Sequence, residues 1–244
     1  MLQEFVCGRA VHRWEAGALS EDEETRLRDL VQRRQSGEPL QYLLGEWAFY
    51  GLPFRVTPEV LIPRQESEVL VELAIGQARA RDSVRILDLC CGSGCIGIAV
   101  ARHMAGEHSS PLLLADICSA ALNIARENAA RHGVAAECVQ SDLFATIGGK
   151  FDLILCNPPY LSAADMEDMQ RELNFEPRRA LYGGEDGLDF YRRIAADYRD
   201  YLAPGGVMLL EIGSAQAEAV RALFPGCSVY RDYAGHERVC EVRN

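Results

Sequence analysis

Two consecutive prolines, Pro158 and Pro159, cut off an apolar run, Phe151-Asp152-Leu153-Ile154-Leu155-Cys156. The run has the length and composition of a buried strand. Neither proline has an N–H to give, so neither strand nor helix can continue through them. The first ring also pushes Asn157 out of the helical region. The corner Asn157-Pro158-Pro159-Tyr160 therefore closes the C-terminal end of a strand, which is where open α/β sheets bind their ligands. It can point an amide side chain and unpaired backbone carbonyls outward. Taken alone it also reads as a Pro-Pro turn capped by asparagine, so the rest of the chain has to decide.

From about residue 84 strand and helix patterns alternate. Strands are expected over 84–89, 112–115, 136–139, 151–156 and 207–212, and helices over 94–103, 119–132, 189–202 and 215–224. Pro204-Gly205-Gly206 is expected to stop the helix before it. Alternation of this kind argues for a parallel sheet with helices on both faces. Two closing strands, 227–231 and 238–242, are joined by a short turn at Gly235 and must be antiparallel, because a parallel pair needs a long crossover.

The chain before residue 84 reads differently. Ser20-Glu21-Asp22-Glu23 spells a capping box, followed by a narrow stripe of Leu27, Leu30 and Val31 and a stop at Gly37. Residues 1–19 offer little to cover that stripe. Residues 45–63 are rich in aromatic and β-branched residues broken by Gly51-Leu52-Pro53 and Thr57-Pro58, and read as a β-hairpin. Arg64 and Glu66 lie where the hairpin meets the next helix, either as a solvated cap or at the mouth of a site.

Ile86-Leu87-Asp88-Leu89-Cys90-Cys91-Gly92-Ser93-Gly94-Cys95-Ile96-Gly97 reads as strand, tight turn and helix. Gly92, Gly94 and Gly97 spell G-x-G-x-x-G, and Asp116 ends the next strand, where a carboxylate accepts the hydroxyls of a ribose. A dinucleotide site must be weighed. However, Asp88 stands just before the turn, where a carboxylate would repel a pyrophosphate and favour a cation. That points to S-adenosylmethionine, which carries a sulfonium and an ammonium. Asp142, at the end of the third strand, is placed to accept from an adenine amino group or to cap a turn, and Leu143 to pack on the ring.

Composition bounds what the chain can be. Its 244 residues suit one α/β domain with an appendage, and no apolar run approaches the ~20 residues of a membrane span. No signal peptide is legible. The nine cysteines are an odd number and several sit in apolar runs, which argues for a reducing cytoplasm rather than a disulfide framework. Cys90, Cys91 and Cys95 lack a second pair at zinc-site spacing, and no metal is expected. A net charge of −11 disfavours a broad nucleic-acid surface.

With these residues in view, the sequence resembles the class I S-adenosylmethionine-dependent methyltransferases. Within them it resembles the peptide-chain release factor glutamine methyltransferases, the HemK/PrmC family. The resemblance covers roughly residues 20–244. It rests on Gly37-Glu38-Pro39-Leu40-Gln41-Tyr42 with Gly45, Val60-Leu61-Ile62-Pro63-Arg64 with Glu66 and Glu68, the loop from Asp88 to Gly97, Asp116, Asn157-Pro158-Pro159-Tyr160, and Asp232-Tyr233-Ala234-Gly235 with Arg238. It implies a Rossmann-like, mostly parallel seven-stranded sheet with a terminal antiparallel strand, preceded by a short N-terminal helix and a β-hairpin. It divides the chain into a remnant of a substrate-gripping helical domain (1–44), a hairpin linker (45–66) and the methyltransferase domain (67–244). It implies a cofactor site of Asp88, Cys90, Cys91, Gly92, Ser93, Gly94, Asp116, Asp142, Leu143 and Asn157. Asn157, Pro158, Pro159 and Tyr160 would hold the substrate, with Asn157, Pro158 and Tyr160 serving catalysis.

Three departures stand out. Cys90-Cys91 replaces the Gly-Thr usual in the family loop, Gln65 replaces a proline, and only the last helix of the N-terminal bundle is legible, so the chain reads as N-terminally short. The expected protein is a cytoplasmic monomer that methylates the glutamine of a Gly-Gly-Gln motif in a release factor. The alternatives are an adenine-N6 methyltransferase on DNA or RNA, which shares the Asn-Pro-Pro-Tyr corner, and a domain that binds the cofactor without turnover.

Overall fold

The structure is a computed structural model that describes residues 1–8, 19–106 and 110–244. Three short helices come first: α1 (Leu2–Cys7), α2 (Glu21–Gln35) and α3 (Leu40–Leu44). The capping box of α2 is formed, with Ser20 N–H donating to Glu23 Oε2 at 2.8 Å and Glu23 N–H to Ser20 Oγ at 3.3 Å. The stripe of α2 is not orphaned as expected. Leu2 and Val6 from α1 and Leu43 from α3 pack on Leu27 and Leu30, while Val31 stays exposed. A six-residue helix is too short to show a period, which is why α1 was not legible; residues 9–18 lie outside the described residues.

The hairpin is β1 (Glu46–Phe49) and β2 (Leu52–Arg55), an antiparallel pair turned by Tyr50 (φ 48°) and Gly51 (φ 74°). Positive φ at both turn residues matches the right-handed twist of the strands. Phe49 and Phe54 are buried beneath it. The hairpin is pinned by one side chain, Asn128, which is fully buried. Its Oδ1 accepts from Arg55 N–H at 2.8 Å, and its Nδ2 donates to Arg55 O at 3.1 Å and to Ser93 O at 2.9 Å. Asn128 thus imitates a neighbouring strand for β2 while holding the loop expected to bind cofactor.

The main body follows the expected alternation: α4 (Glu68–Arg79), β3 (Ile86–Leu89), α5 (Cys95–His103), β4 (Leu112–Asp116), α6 (Ser119–Arg131), β5 (Ala136–Gln140), β6 (Phe151–Cys156), α7 (Ala163–Glu167), α8 (Asp189–Tyr201), β7 (Leu202–Glu211), α9 (Ala217–Leu223), β8 (Ser228–Arg231) and β9 (Glu237–Arg243). The sheet order is β5-β4-β3-β6-β7-β9-β8, parallel except that β9 runs antiparallel to both its neighbours. Each central strand feeds two cores. Ile86, Leu153 and Leu155 face the layer of α4 and α5, whereas Leu87, Leu89, Ile154 and Cys156 face α8 and α9. Burial on both faces is why these strands read as unbroken apolar runs.

Two local features go beyond the expectations. The helix before Pro204-Gly205-Gly206 ends at Tyr201, but the chain passes directly into β7 at Leu202, and the register slips so that Phe151 faces Leu202 but Leu153 faces Val207. Proline and glycine are accommodated where the register with β6 is broken, because no β6 residue is paired with 203–206. Residues 161–188, for which no element was expected, contain α7 and two 3₁₀ turns. A capping box of Ser162 and Asp165 starts α7 and was visible in the sequence.

Asn128→Ala leaves three backbone groups without their partner, two of them on the hairpin. A loss of about 2–4 kcal/mol in unfolding free energy is expected in urea titration, with earlier proteolysis at the hairpin. Unchanged stability would refute this pinning role.

Candidate active site

The loop between β3 and α5 is shaped from below by carboxylates. Asp88 is 1 % exposed, and its Oδ2 accepts from Gly97 N–H at 2.9 Å. A Cβ on Gly97 would stand 2.9 Å from both Asp88 Cβ and Oδ2, so glycine is what lets helix α5 approach β3 this closely. Gly94 (φ 77°) caps α5 in the left-handed region, and a Cβ there would meet Ile98 Cδ1 at 2.8 Å. Cys90, where the resemblance implies glycine, also has positive φ, 59°, a conformation that is costly for a residue with a Cβ.

Asp116 at the end of β4 ties the other side of the loop. Its Oδ2 accepts from Gly92 N–H at 2.9 Å and its Oδ1 from Cys118 N–H at 2.8 Å. Burial raises the carboxyl, and these backbone donors oppose the rise. Burial likewise pushes Asp88 from 3.8 up to about 7, the Gly97 N–H opposing it and the Asp116 charge adding to it.

Above the loop lies a cavity of about 560 Å³. Cys90, Cys91, Gly92, Ser93 and Asp116 line one side, Asp142 and Leu143 another, and Asn157 and Pro159 a third. The strand ends β3, β4, β5 and β6 thus bring together most of the residues expected to form the cofactor site. Asp88 and Gly94 lie beneath the lining. They shape the loop rather than touch the cavity, because Asp88 is buried on Gly97 and Gly94 is packed against α5 and α6. Pro158 and Tyr160 also lie outside the lining. Asp142 is held by an ion pair from Arg193 at 2.8 Å, both side chains half exposed. Leu143 adopts φ 51° and is buried, presenting an apolar wall.

The proline corner is braced on every side. Asn157 Nδ2 lies 3.4 Å from Ser67 Oγ. The Tyr160 carbonyl accepts from Gln216 Nε2 at 2.9 Å, and the Tyr160 hydroxyl faces Glu211 Oε1 at 3.5 Å. Leu161 pairs with the stretch 181–183 through Leu161 N–H to Leu181 O and Gly183 N–H to Leu161 O, both 2.8 Å. A Cβ on Gly183 would collide with Pro159 O at 2.7 Å.

Sequence reasoning missed the residues that the start of α4 and the stretch 161–193 bring to the cavity: Ser67, Arg179, Tyr182, Phe190 and Arg193. Arg64, left open between surface and site, lines the cavity and pairs with Glu176, a buried carboxylate whose Oε2 also accepts from Ile62 N–H at 3.0 Å. Glu66 faces a neighbouring cavity of about 540 Å³ that shares Arg64 as a wall. The buried Glu211 had no motif to announce it beyond its place at the end of a strand.

The comparisons with known proteins agree with this geometry. A methyltransferase small domain matches residues 66–184 and a PrmC N-terminal domain matches residues 9–45. The release factor glutamine methyltransferase of Geobacter sulfurreducens is 43 % identical over 233 residues, covering 91 % of this chain and 78 % of its own. The chain belongs to the release factor glutamine methyltransferase family. The Bordetella pertussis member is 39 % identical over 250 residues, covering 98 % of this chain and 91 % of its own. Among solved structures, a Thermus thermophilus 16S rRNA N2 G1207 methyltransferase in complex with AdoMet and guanosine aligns at TM-score 0.57 and 17 % identity, over 82 % of this chain and 49 % of that one. That likeness is one of fold. As a family member the chain is a methyltransferase, and its sheet is the mostly parallel seven-stranded one expected.

The raised Asp88 carboxyl sets a pH signature. The folded state holds a proton between about 3.8 and about 7 that the unfolded chain has released. Stability from this group is therefore fullest at low pH and is lost as pH rises toward 7. Asp88→Asn keeps an acceptor for Gly97 N–H without the charge. Its melting temperature is expected to gain on the parent's as pH is raised from about 5 to about 8; a difference that does not vary with pH would contradict this.

Proposed function

We propose that this chain transfers a methyl group from S-adenosylmethionine to the side-chain amide nitrogen of the glutamine in the Gly-Gly-Gln motif of a peptide-chain release factor. The observation that carries the reading is the Asn157 amide in a family member. Its Nδ2 is turned to Ser67, which leaves Oδ1 as the end not committed to the protein.

The cavity suits the cofactor. Asp116 keeps lone pairs beyond the two backbone donors it serves, and so offers acceptors to ribose hydroxyls. Leu143 supplies an apolar face for the adenine, and Asp142 an acceptor for its amino group once Arg193 swings aside. The loop of Cys90, Cys91, Gly92, Ser93 and Gly94 gives close backbone approach with carboxylates behind it, which favours a cation over a pyrophosphate. When bound, the cofactor supplies an electrophilic methyl carbon on a sulfonium.

The chain's own residues prepare the nucleophile. An amide nitrogen is poor because its lone pair is delocalised into the carbonyl. The glutamine NH₂ has two donors, and Asn157 Oδ1 and the Pro158 carbonyl accept both. Held this way, the nitrogen can pyramidalise and turn its lone pair to the methyl, and the acceptors stabilise the positive charge that develops on it. Orientation contributes part of a ceiling of ~7–11 kcal/mol. Tyr160 packs beside the planar amide, and the proton is lost to water after transfer. The prolines keep the acceptors from relaxing toward each other, so little reorganisation is left to the reaction step. The N-terminal helices (1–44) and the hairpin linker (45–66) contribute to gripping the release factor, and the enzyme works as a cytoplasmic monomer.

The test is labelled methyl donor with a release factor and, separately, with duplex and single-stranded nucleic acid. Label is expected on the release factor alone, at a Gly-Gly-Gln glutamine. Label on adenine instead would replace this reading with an adenine-N6 one. Asn157→Ala is expected to cut kcat by about 10²–10³ while calorimetry shows cofactor affinity within about threefold, in line with loss of a transition-state acceptor. Near-normal turnover would rule out its role. Asp116→Ala is expected to weaken cofactor binding by about tenfold or more, because hydroxyl acceptor and loop tie are lost together; unchanged affinity in the same calorimetry would count against it.

A further inference from the structure

Asparagine is a side chain with two nearly isosteric ends, and only one of them can accept a substrate N–H. If Asn157 turned its Nδ2 outward, it would meet the glutamine NH₂ donor to donor. Something must fix which end faces the cavity. The corner backbone cannot do so, because rotation about χ2 leaves it unmoved.

Glu211 stands at the end of β7, next to β6. The strands are parallel with Cys156 opposite Leu210, so the following residues, Asn157 and Glu211, emerge side by side. Glu211 is 1 % exposed. Its Oε1 faces the Tyr160 hydroxyl at 3.5 Å, and its Oε2, also buried, completes no hydrogen bond among the described residues. Ser67, 2 % exposed at the start of α4, lies against both: its Oγ is 3.4 Å from Asn157 Nδ2, and its hydroxyl and the Asn157 amide both favour the charged form of Glu211. A buried carboxylate with an unfilled oxygen costs stability, and a glutamine of the same shape would cost less. The methyl-transfer mechanism above makes no use of it.

We propose that Glu211 is a positioning residue that sets the polarity of the Asn157 amide through the hydroxyl of Ser67. A carboxylate can only accept. The single Ser67 proton therefore goes to Glu211, with Oε2 as the open acceptor. That turns the lone pairs of Ser67 Oγ toward Asn157. Asn157 must then offer Nδ2 inward and Oδ1 to the cavity. The negative charge behind the amide nitrogen also polarises the amide toward Oδ1, which strengthens the acceptor as positive charge grows on the substrate nitrogen. A neutral carboxylic acid or a glutamine at 211 can donate as well as accept, so the relay loses its single direction.

The carboxyl is pushed from 4.5 up to about 7 by burial, with Ser67, Arg238 and Asn157 opposing the rise and Glu66 adding to it. The charged and titratable groups facing it are few. Arg238 on β9 is already engaged by Asp232 at 3.2 Å and by the Ile212 carbonyl at 3.1 Å. Burial holds Tyr160, Tyr191 on α8, Cys156 on β6 and Cys95 on α5 protonated well beyond neutrality. Glu66 is exposed. The relay is therefore polarised as pH rises through about 7, and kcat rises with it.

The experiment compares the parent enzyme with Glu211→Gln, Ser67→Ala and the double variant, measuring methylation of a release factor across about pH 5.5 to 9. Each single variant is expected to lose about tenfold or more in kcat at pH 8, with KM for donor and for release factor within about threefold. The inflection near pH 7 is expected to vanish in Glu211→Gln, and the double variant to be no worse than either single one, as two parts of one relay require. A Glu211→Gln enzyme that keeps both kcat and inflection overturns the proposal, as do fully additive losses. Should Glu211→Gln fail to fold, Ser67→Ala decides: lost kcat at unchanged melting temperature supports the relay, and unchanged kcat overturns it. The inference rests on the methyl-transfer reading, and the two fail differently. An inactive parent enzyme sinks the reading, whereas an active parent with unaffected variants sinks only the relay.

Discussion

The whole site depends on a strand that is forced to stop. β6 is buried on both faces and would extend if it could, but Pro158 and Pro159 withhold the donors a ladder needs. The backbone beyond Cys156 therefore leaves the sheet with its carbonyls unspent. The neighbouring structure then holds the corner without consuming it: Gln216 takes the Tyr160 carbonyl, and the 181–183 stretch pairs with Leu161, one residue past the motif. Both of these braces act beyond Asn157 and Pro158, the two residues whose oxygens the proposed chemistry uses.

Electrostatics supports the same division. Asp88 and Asp116 hold the β3–α5 loop by accepting its backbone N–H groups, at Gly97 and at Gly92. Both N–H groups belong to the turn and first turn of helix, the region that dinucleotide sites turn to phosphate. Spending them on protein carboxylates takes those donors from an incoming phosphate, and the Asp116 carboxylate at the cavity wall disfavours an anion there. One glycine pattern can thus serve two cofactor classes, and the carboxylates decide between them.

Much of this was legible in the sequence, for identifiable reasons. Two-faced burial gives β3, β4 and β6 unbroken apolar runs, capping boxes announce α2, and a short turn forces the antiparallel end of the sheet. Asp116 and the Asn157 corner were placed by their positions at strand ends. What was not legible depends on contacts distant in sequence. Asn128 binds a hairpin 73 residues away, Arg64 is drawn into the cavity wall by Glu176 112 residues away, and Arg193 reaches Asp142 from α8. Asp88 was assigned to the cofactor because its sequence position is right; its side chain instead serves α5, since at 1 % exposure it can reach no ligand. α1 was invisible because a single turn and a half has no measurable period.

The central claim is that the Asn157 oxygen faces the substrate amide because the protein occupies the other end. A neutron structure of the enzyme with demethylated cofactor and a Gly-Gly-Gln peptide tests this most directly, since deuterium positions distinguish oxygen from nitrogen. The expected map shows the glutamine ND₂ donating to Asn157 Oδ1 and to the Pro158 carbonyl, with Asn157 ND₂ turned to Ser67. Asn157 ND₂ directed at the substrate, or a glutamine nitrogen bound elsewhere, would contradict it.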